Sequence, residues 1–202
     1  MRRTVSFAVL MMTLCLLCAC GGKQNEVFQA PMDFRADFLA KGSCRFTAAG
    51  TAEVEQRLYE MTLGCTCRSD GTAEIRICEP ESIAGVEAET DGRTGKILYD
   101  GMSLAFGVPC DDRLAPAAMP AVLCHAWAEG YILSAGQDET GLLAVYDFGA
   151  DDPVNVRTWF DEEGLPIRAE FVWMGRVCGR LEITDFELIS GGNYEAAEED
   201  LG

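Results

Sequence analysis

The stretch FRADFLAKGSCRFTAAGTAEVEQRLYEMTLGCTC, residues 34–67, decides the fold. Phe34, Ala36, Phe38, Ala40, Gly42, Cys44 and Phe46 share one parity, while Arg35, Asp37, Lys41, Ser43, Arg45 and Thr47 share the other. That alternation predicts a long, half-buried strand beginning at Phe34. Ala48 to Thr51 is expected to turn the chain. Glu53 to Cys67 then reads as a second long strand, with Tyr59, Met61, Leu63, Cys65 and Cys67 on one face. Its phase slips near Leu58, where a bulge is expected.

The same period continues downstream. Ser69-Asp70-Gly71 is a hairpin signal, and Ala73, Ile75 and Ile77 alternate with Glu74, Arg76 and Cys78. Glu79-Pro80-Glu81 breaks the ladder. Short strands are expected at 86–89, 95–99 and 102–106, then at 131–134, 142–148, 154–160, 167–173 and 177–188. Residues 115–129 form the one predicted helix, on which Met119, Val122, Leu123, Ala126 and Trp127 make a single apolar stripe. Pro120 sits awkwardly beyond the first turn and would delay the helix start. The count is about ten antiparallel strands, one main helix and short connections, a mainly β (α+β) domain.

Residues 1–22 set the location. Arg2 and Arg3 precede an apolar run from Phe7 to Leu17, which is a secretory signal, too short and wrongly flanked to span a bilayer. The ending Leu17-Cys18-Ala19-Cys20 resembles a bacterial lipobox. The resemblance implies cleavage after residue 19, with Cys20 carrying the lipid that anchors the chain. The expected layout is a signal peptide at 1–19, a lipidated Cys and polar tether at 20–33, a domain at 34–190 and an acidic, disordered tail at 191–202. Cleavage removes two of 16 basic residues, leaving 14 against 33 acidic ones, a net charge of −19. Such a surface repels nucleic acid and anionic headgroups. A monomeric body held off the membrane, outside the cytoplasm, is expected.

Several short motifs, in order, resemble the LolA-like lipoprotein-carrier family in its membrane-anchored form. They are Phe34-Arg35-Ala36-Asp37-Phe38, the run from Glu79 to Gly85, Ile97-Leu98-Tyr99-Asp100-Gly101, Gly164-Leu165-Pro166 and the run from Leu181 to Phe186. The resemblance implies an incomplete, curved antiparallel β-barrel covered by helix, with a hydrophobic cavity between. It also implies a carrier of lipids or lipoproteins, or an envelope sensor or assembly subunit that binds a protein partner.

His125 has no nucleophile or orienting acid near it in sequence, and Glu79 and Glu81 read as a charged corner. No enzymatic activity and no cofactor are expected. Cys65 and Cys67 project from one strand face, as a soft-metal pair would, but core packing explains them, so no metal is expected. Both are expected to stay thiols. Cys110 and Cys124 are the expected disulfide, tying the loop after Phe106 to the helix. One helix is narrow against a sheet of about ten strands, so apolar wall should remain for a ligand. An acyl chain or other hydrophobic ligand is expected among Phe34, Phe38, Phe46, Tyr59, Met61, Leu63, Ile75, Ile77, Leu123, Trp127, Phe171 and Trp173, close to the two tryptophans. The alternative is that large side chains meet in the middle and leave no room. Replacing Cys20 with Ala should remove the anchor; unchanged partitioning of that variant into a detergent phase would contradict the lipobox reading.

Overall fold

The computed structural model describes residues 22–54, 57–91, 94–99, 102–107, 116–147 and 154–190. Eleven strands make one antiparallel sheet: β1 (Gly42–Val54), β2 (Arg57–Arg68), β3 (Ala73–Glu79), β4 (Glu87–Thr90), β5 (Thr94–Tyr99), β6 (Met102–Gly107), β7 (Tyr131–Gln137), β8 (Leu142–Asp147), β9 (Val154–Phe160), β10 (Pro166–Trp173) and β11 (Arg176–Ser190). Their order is β6-β5-β4-β3-β2-β1-β11-β10-β9-β8-β7. The first and last strands are therefore neighbours at the centre, while β6 and β7 are open edges. The sheet curves into an incomplete barrel, and two helices, α1 (Gly22–Lys41) and α2 (Met119–Glu129), lie against its inner face.

Helix α1 occupies the place where the alternation predicted the start of a strand. Phe34 and Phe38 satisfy both periods, being four apart and of equal parity. In the helix they share one face, 4% and 0% exposed, with ring centroids 6.3 Å apart. Gly42, at φ +83°, leaves the helix in the left-handed region that glycine adopts without strain, and the strand starts there. Cys44 and Phe46 then point inward, as the parity required. The segment read as a polar tether forms the first turns of α1, with Pro31 inside the helix.

The turn expected at Ala48–Thr51 is also displaced. β1 runs on to Val54, and its pairing with β2 continues without a break from Ser43↔Arg68 to Val54↔Arg57, so no bulge falls at Leu58 on this side. The small residues mark a close approach. A Cβ on Gly50 would lie 3.2 Å from Leu181 and 3.4 Å from Met119, and one on Gly179 only 2.5 Å from the Met119 sulfur. The sheet is stripped of side chains where the start of α2 rests on it.

Helix α2 starts at Met119 after a short 3-10 turn at Pro116–Ala118, as the placement of Pro120 suggested. Eight of its eleven residues are buried. Such a helix has no solvated face to satisfy its last carbonyls. Arg35 of α1 does so, its guanidinium donating to the carbonyls of Trp127 (2.6 Å), Ala126 (3.4 Å) and Gly130.

Trp127 is the centre of the core. Phe34, Phe38, Phe46 and Phe186 surround it at centroid distances of 5.2–6.3 Å, three of them wholly or almost wholly buried. Its indole N–H donates to the Thr158 hydroxyl at 3.0 Å. On the opposite face of the sheet, the buried Glu170 of β10 receives Arg157 of β9 (3.5 Å), Arg168 (2.8 Å) and Arg180 of β11 (3.0 Å). Three strands are thereby tied across one carboxylate that is only 8% exposed.

Trp127→Ala should destabilise the domain by roughly 3–5 kcal/mol, through the cavity and the orphaned Thr158 hydroxyl. Equilibrium urea unfolding would measure it, and a loss below about 1 kcal/mol would show that the aromatic cluster is not the core.

Candidate functional site

The concave inner face is where the sequence placed a ligand, and the structure divides it. Phe34, Phe38, Phe46, Leu63, Ile75, Leu123, Trp127 and Phe171 are at most 4% exposed, and Ile77 is 9% exposed. They belong to one contiguous core with the two helices. The space around Trp127, where an acyl chain was expected, is packed with aromatic rings and closed in this structure. The physical reason is α1: a second helix covers the wall that a single helix would have left bare.

Part of the face escapes that cover. α1 packs against β1, β7, β8 and β11, and α2 against β2, β3 and β8. Neither shows comparable packing on β4–β6 among the described residues. Two groups of apolar side chains touch the core and remain partly open. Met61, with Tyr59 (42% exposed) on the same face of β2, and Trp173 of β10 lie toward the end where the β1–β2 and β10–β11 hairpins turn, with β1 and β11 between them. Val86 and Ile97 lie toward the β4–β6 edge. Tyr59 is paired with the inward-facing Ala52, and Met61 with Gly50, so both share the concave side. The Trp173 indole nitrogen is buried and has no hydrogen-bond partner among the described residues.

Two concavities open on the convex side. One of about 700 Å³ is bounded by Thr51, Glu60, Thr62, Cys78 and Glu79, and one of about 880 Å³ by Arg45, Thr66, Glu74, Arg76 and Glu87. Among its described lining the first carries only acidic charge, from Glu60, Glu79 and Glu81, while the second carries both signs. Glu79 and Glu81 are exposed at a strand end, and Glu79 accepts a hydrogen bond from Thr62 (2.9 Å). His125 is one-third exposed on α2, its Nε2 4.0 Å from the Glu129 carboxylate.

The cysteines sort differently from their spacing. Cys20 and Cys110 lie outside the described residues. Cys65 and Cys67 are free thiols on the inner face of β2, and Cys124 is a free thiol that packs from α2 onto Cys44 and Cys67. Burial pushes the thiols of Cys65, Cys67 and Cys124 up, whereas at Cys44 the opposing effect of burial is outweighed by S–H donors from Cys124 and Cys67, which bring it down to about 5. Sequence reading singled out Cys65 and Cys67 because they are adjacent on one face. It assigned Cys124 to Cys110 and gave Cys44 no role; only the strand register and the seating of the helix bring Cys44 and Cys124 to Cys67.

Fold and site together define an open antiparallel half-barrel whose apolar inner face is covered by two helices and partly open at its margins. The sequence matches no family model and no curated protein. Among solved structures the chain is similar to a LolA superfamily protein from Nitrosomonas europaea, at 16% identity and a TM-score of 0.47, over 79% of this chain and 92% of that one. It is similar also to a putative outer membrane lipoprotein-sorting protein domain from Vibrio parahaemolyticus, at 8% identity and a TM-score of 0.47, over 88% and 98%. The lipoprotein LppX of Mycobacterium tuberculosis gives 10% identity and a TM-score of 0.38, over 82% and 96%. The likeness is one of fold.

Proposed function

We propose that this chain is an extracytoplasmic binding protein, anchored by a lipid on Cys20, that holds an acyl chain or similar hydrophobic ligand at the hairpin end of its half-barrel. One observation carries the reading: Tyr59, Met61 and Trp173 line concave sheet that the helices do not finish covering. A concave apolar wall open at one end is the usual setting for a small hydrophobic ligand. Tyr59 suits an entrance, since it joins an apolar body to a polar tip. The Trp173 N–H would meet an ester or carboxylate oxygen there. The net acidity of the body favours a ligand taken up through its apolar part, not through a charged anionic headgroup.

The deeply buried Phe34, Phe38, Phe46, Leu63, Leu123, Trp127 and Phe171 serve this site as its floor and support, not as its contact surface. Substituting them would lower stability before it said anything about binding. Met61 is the informative position, since it is partly exposed and reaches the concave side from β2. Titrating the purified chain with a long-chain fatty acid, followed by tryptophan emission, should give a saturable change. Met61→Glu should weaken it by about tenfold or more, the effect of burying a carboxylate against an acyl chain. A fold-competent Met61→Glu variant that binds as tightly as the unchanged chain would contradict the site, and no saturable binding by either would contradict the function.

A further inference from the structure

Three thiols from three separate elements meet beneath α2, away from the open hairpin end. Cys44 and Cys67 are direct Cα partners across β1 and β2, close to where β2 turns into β3. Cys124 descends on them from the middle of α2. Their Sγ atoms all lie within 4.8 Å of one another, and all three residues are 0% exposed. The Cys67 sulfur also lies 3.8 Å from the carbonyl of Pro120, in the first turn of the same helix. Sulfur packs well in a core, and a single buried cysteine needs no further account. Three sulfurs converging on one point, from residues far apart in the chain, form a donor set.

The geometry suits a metal at the centre of the triangle. Sulfurs bound at about 2.3 Å around a three-coordinate ion lie roughly 4.0 Å apart, so each would move inward by at most about half an ångström. A disulfide would instead require two of them to close to about 2.05 Å and would strand the third. We propose that Cys44, Cys67 and Cys124 form a three-thiolate site for the soft monovalent ion Cu(I), clamped between helix α2 and the central strands.

The donor set chooses the ion. No His, Asp or Glu among the described residues joins the three sulfurs at this distance. Zn²⁺ in a closed protein site takes four ligands, and Fe–S clusters are likewise held by four cysteines. Ca²⁺ and Mg²⁺ require oxygen. Thiolates alone, in a pocket without room for water, select Cu(I). Each thiol that binds releases its proton to solvent, and no electron changes hands. Occupancy would fasten α2 to β1 and β2 at the end of the half-barrel opposite the ligand entrance, where Arg35 and Trp127 already hold the helix.

The full chain, extracted in detergent and kept anaerobic and reduced, would be refolded with Cu(I) supplied through a competing chromophoric chelator. Refolding with the ion present removes burial as a barrier to loading. The expected result is one tightly held Cu(I) per chain, near-ultraviolet thiolate-to-copper absorption, three sulfur neighbours at about 2.3 Å by X-ray absorption, and a higher Tm than the copper-free chain. Cys124→Ser and, as a second variant, Cys67→Ser should each lose affinity by about a hundredfold or more. Cys78→Ser, at an exposed position on the convex face, should not change it. The proposal is overturned if the refolded chain holds no copper against the chelator, if Cys124→Ser and Cys67→Ser hold it as well as the parent, or if thiol mapping of protein taken directly from the envelope finds two of the three cysteines quantitatively joined as a disulfide.

Discussion

The structure depends on how Trp127 is held. A sheet of eleven strands curving on itself creates one concave apolar face, and something must fill its middle. Helix α2 does this by lying with almost its whole circumference buried, which is costly at its C-terminus, where carbonyls lose water. The Arg35 guanidinium supplies the missing donors, and the aromatic rings of α1 and β1 close around Trp127. Without α1, α2 would end in an apolar groove with unsatisfied carbonyls. Without α2, Phe34 and Phe38 would have no edge to pack on. The two helices are one device.

That device explains why the concave face is unequal. The helices meet over β1, β11 and their neighbours, and the packing there is complete. Toward the hairpin end, and toward β4–β6, the sheet outruns the helices, and Tyr59, Met61, Trp173, Val86 and Ile97 stay partly open. A binding role and a stable core are thus separated along the same surface. The thiol trio falls on the packed side, where it could reinforce the clamp without obstructing the entrance.

Much of this was legible in the sequence. Strands β3 to β11 follow from parity and turn chemistry to within a few residues, most plainly in β3 and β8, where buried and more exposed positions alternate. Two readings failed for local reasons. Phe34 and Phe38 fit a helix and a strand equally well, and only Gly42 marks where one period yields to the other. Ala48, Ala49, Gly50 and Thr51 resemble a turn in composition, yet Gly50 is small because Leu181 and Met119 come close to the sheet there. A contact with a distant helix leaves no local signature. The candidate ligand residues were recognisable as inward-facing, but their division into buried floor and open rim depends on α1. Neither Cys44 nor Cys124 could be joined to Cys67 before the register of β1 against β2 was known.

The central claim is that a ligand enters at the hairpin end while the surroundings of Trp127 remain closed to it. Paramagnetic broadening in the NMR spectrum of the isotopically labelled chain, on adding a fatty acid with a nitroxide near its end, tests this position by position. The account expects strong broadening of the Met61 methyl, the Tyr59 ring and the Trp173 indole N–H, with the Trp127 indole N–H left sharp. Equal broadening of Trp127, or broadening confined to the convex face around Thr62 and Cys78, would contradict it.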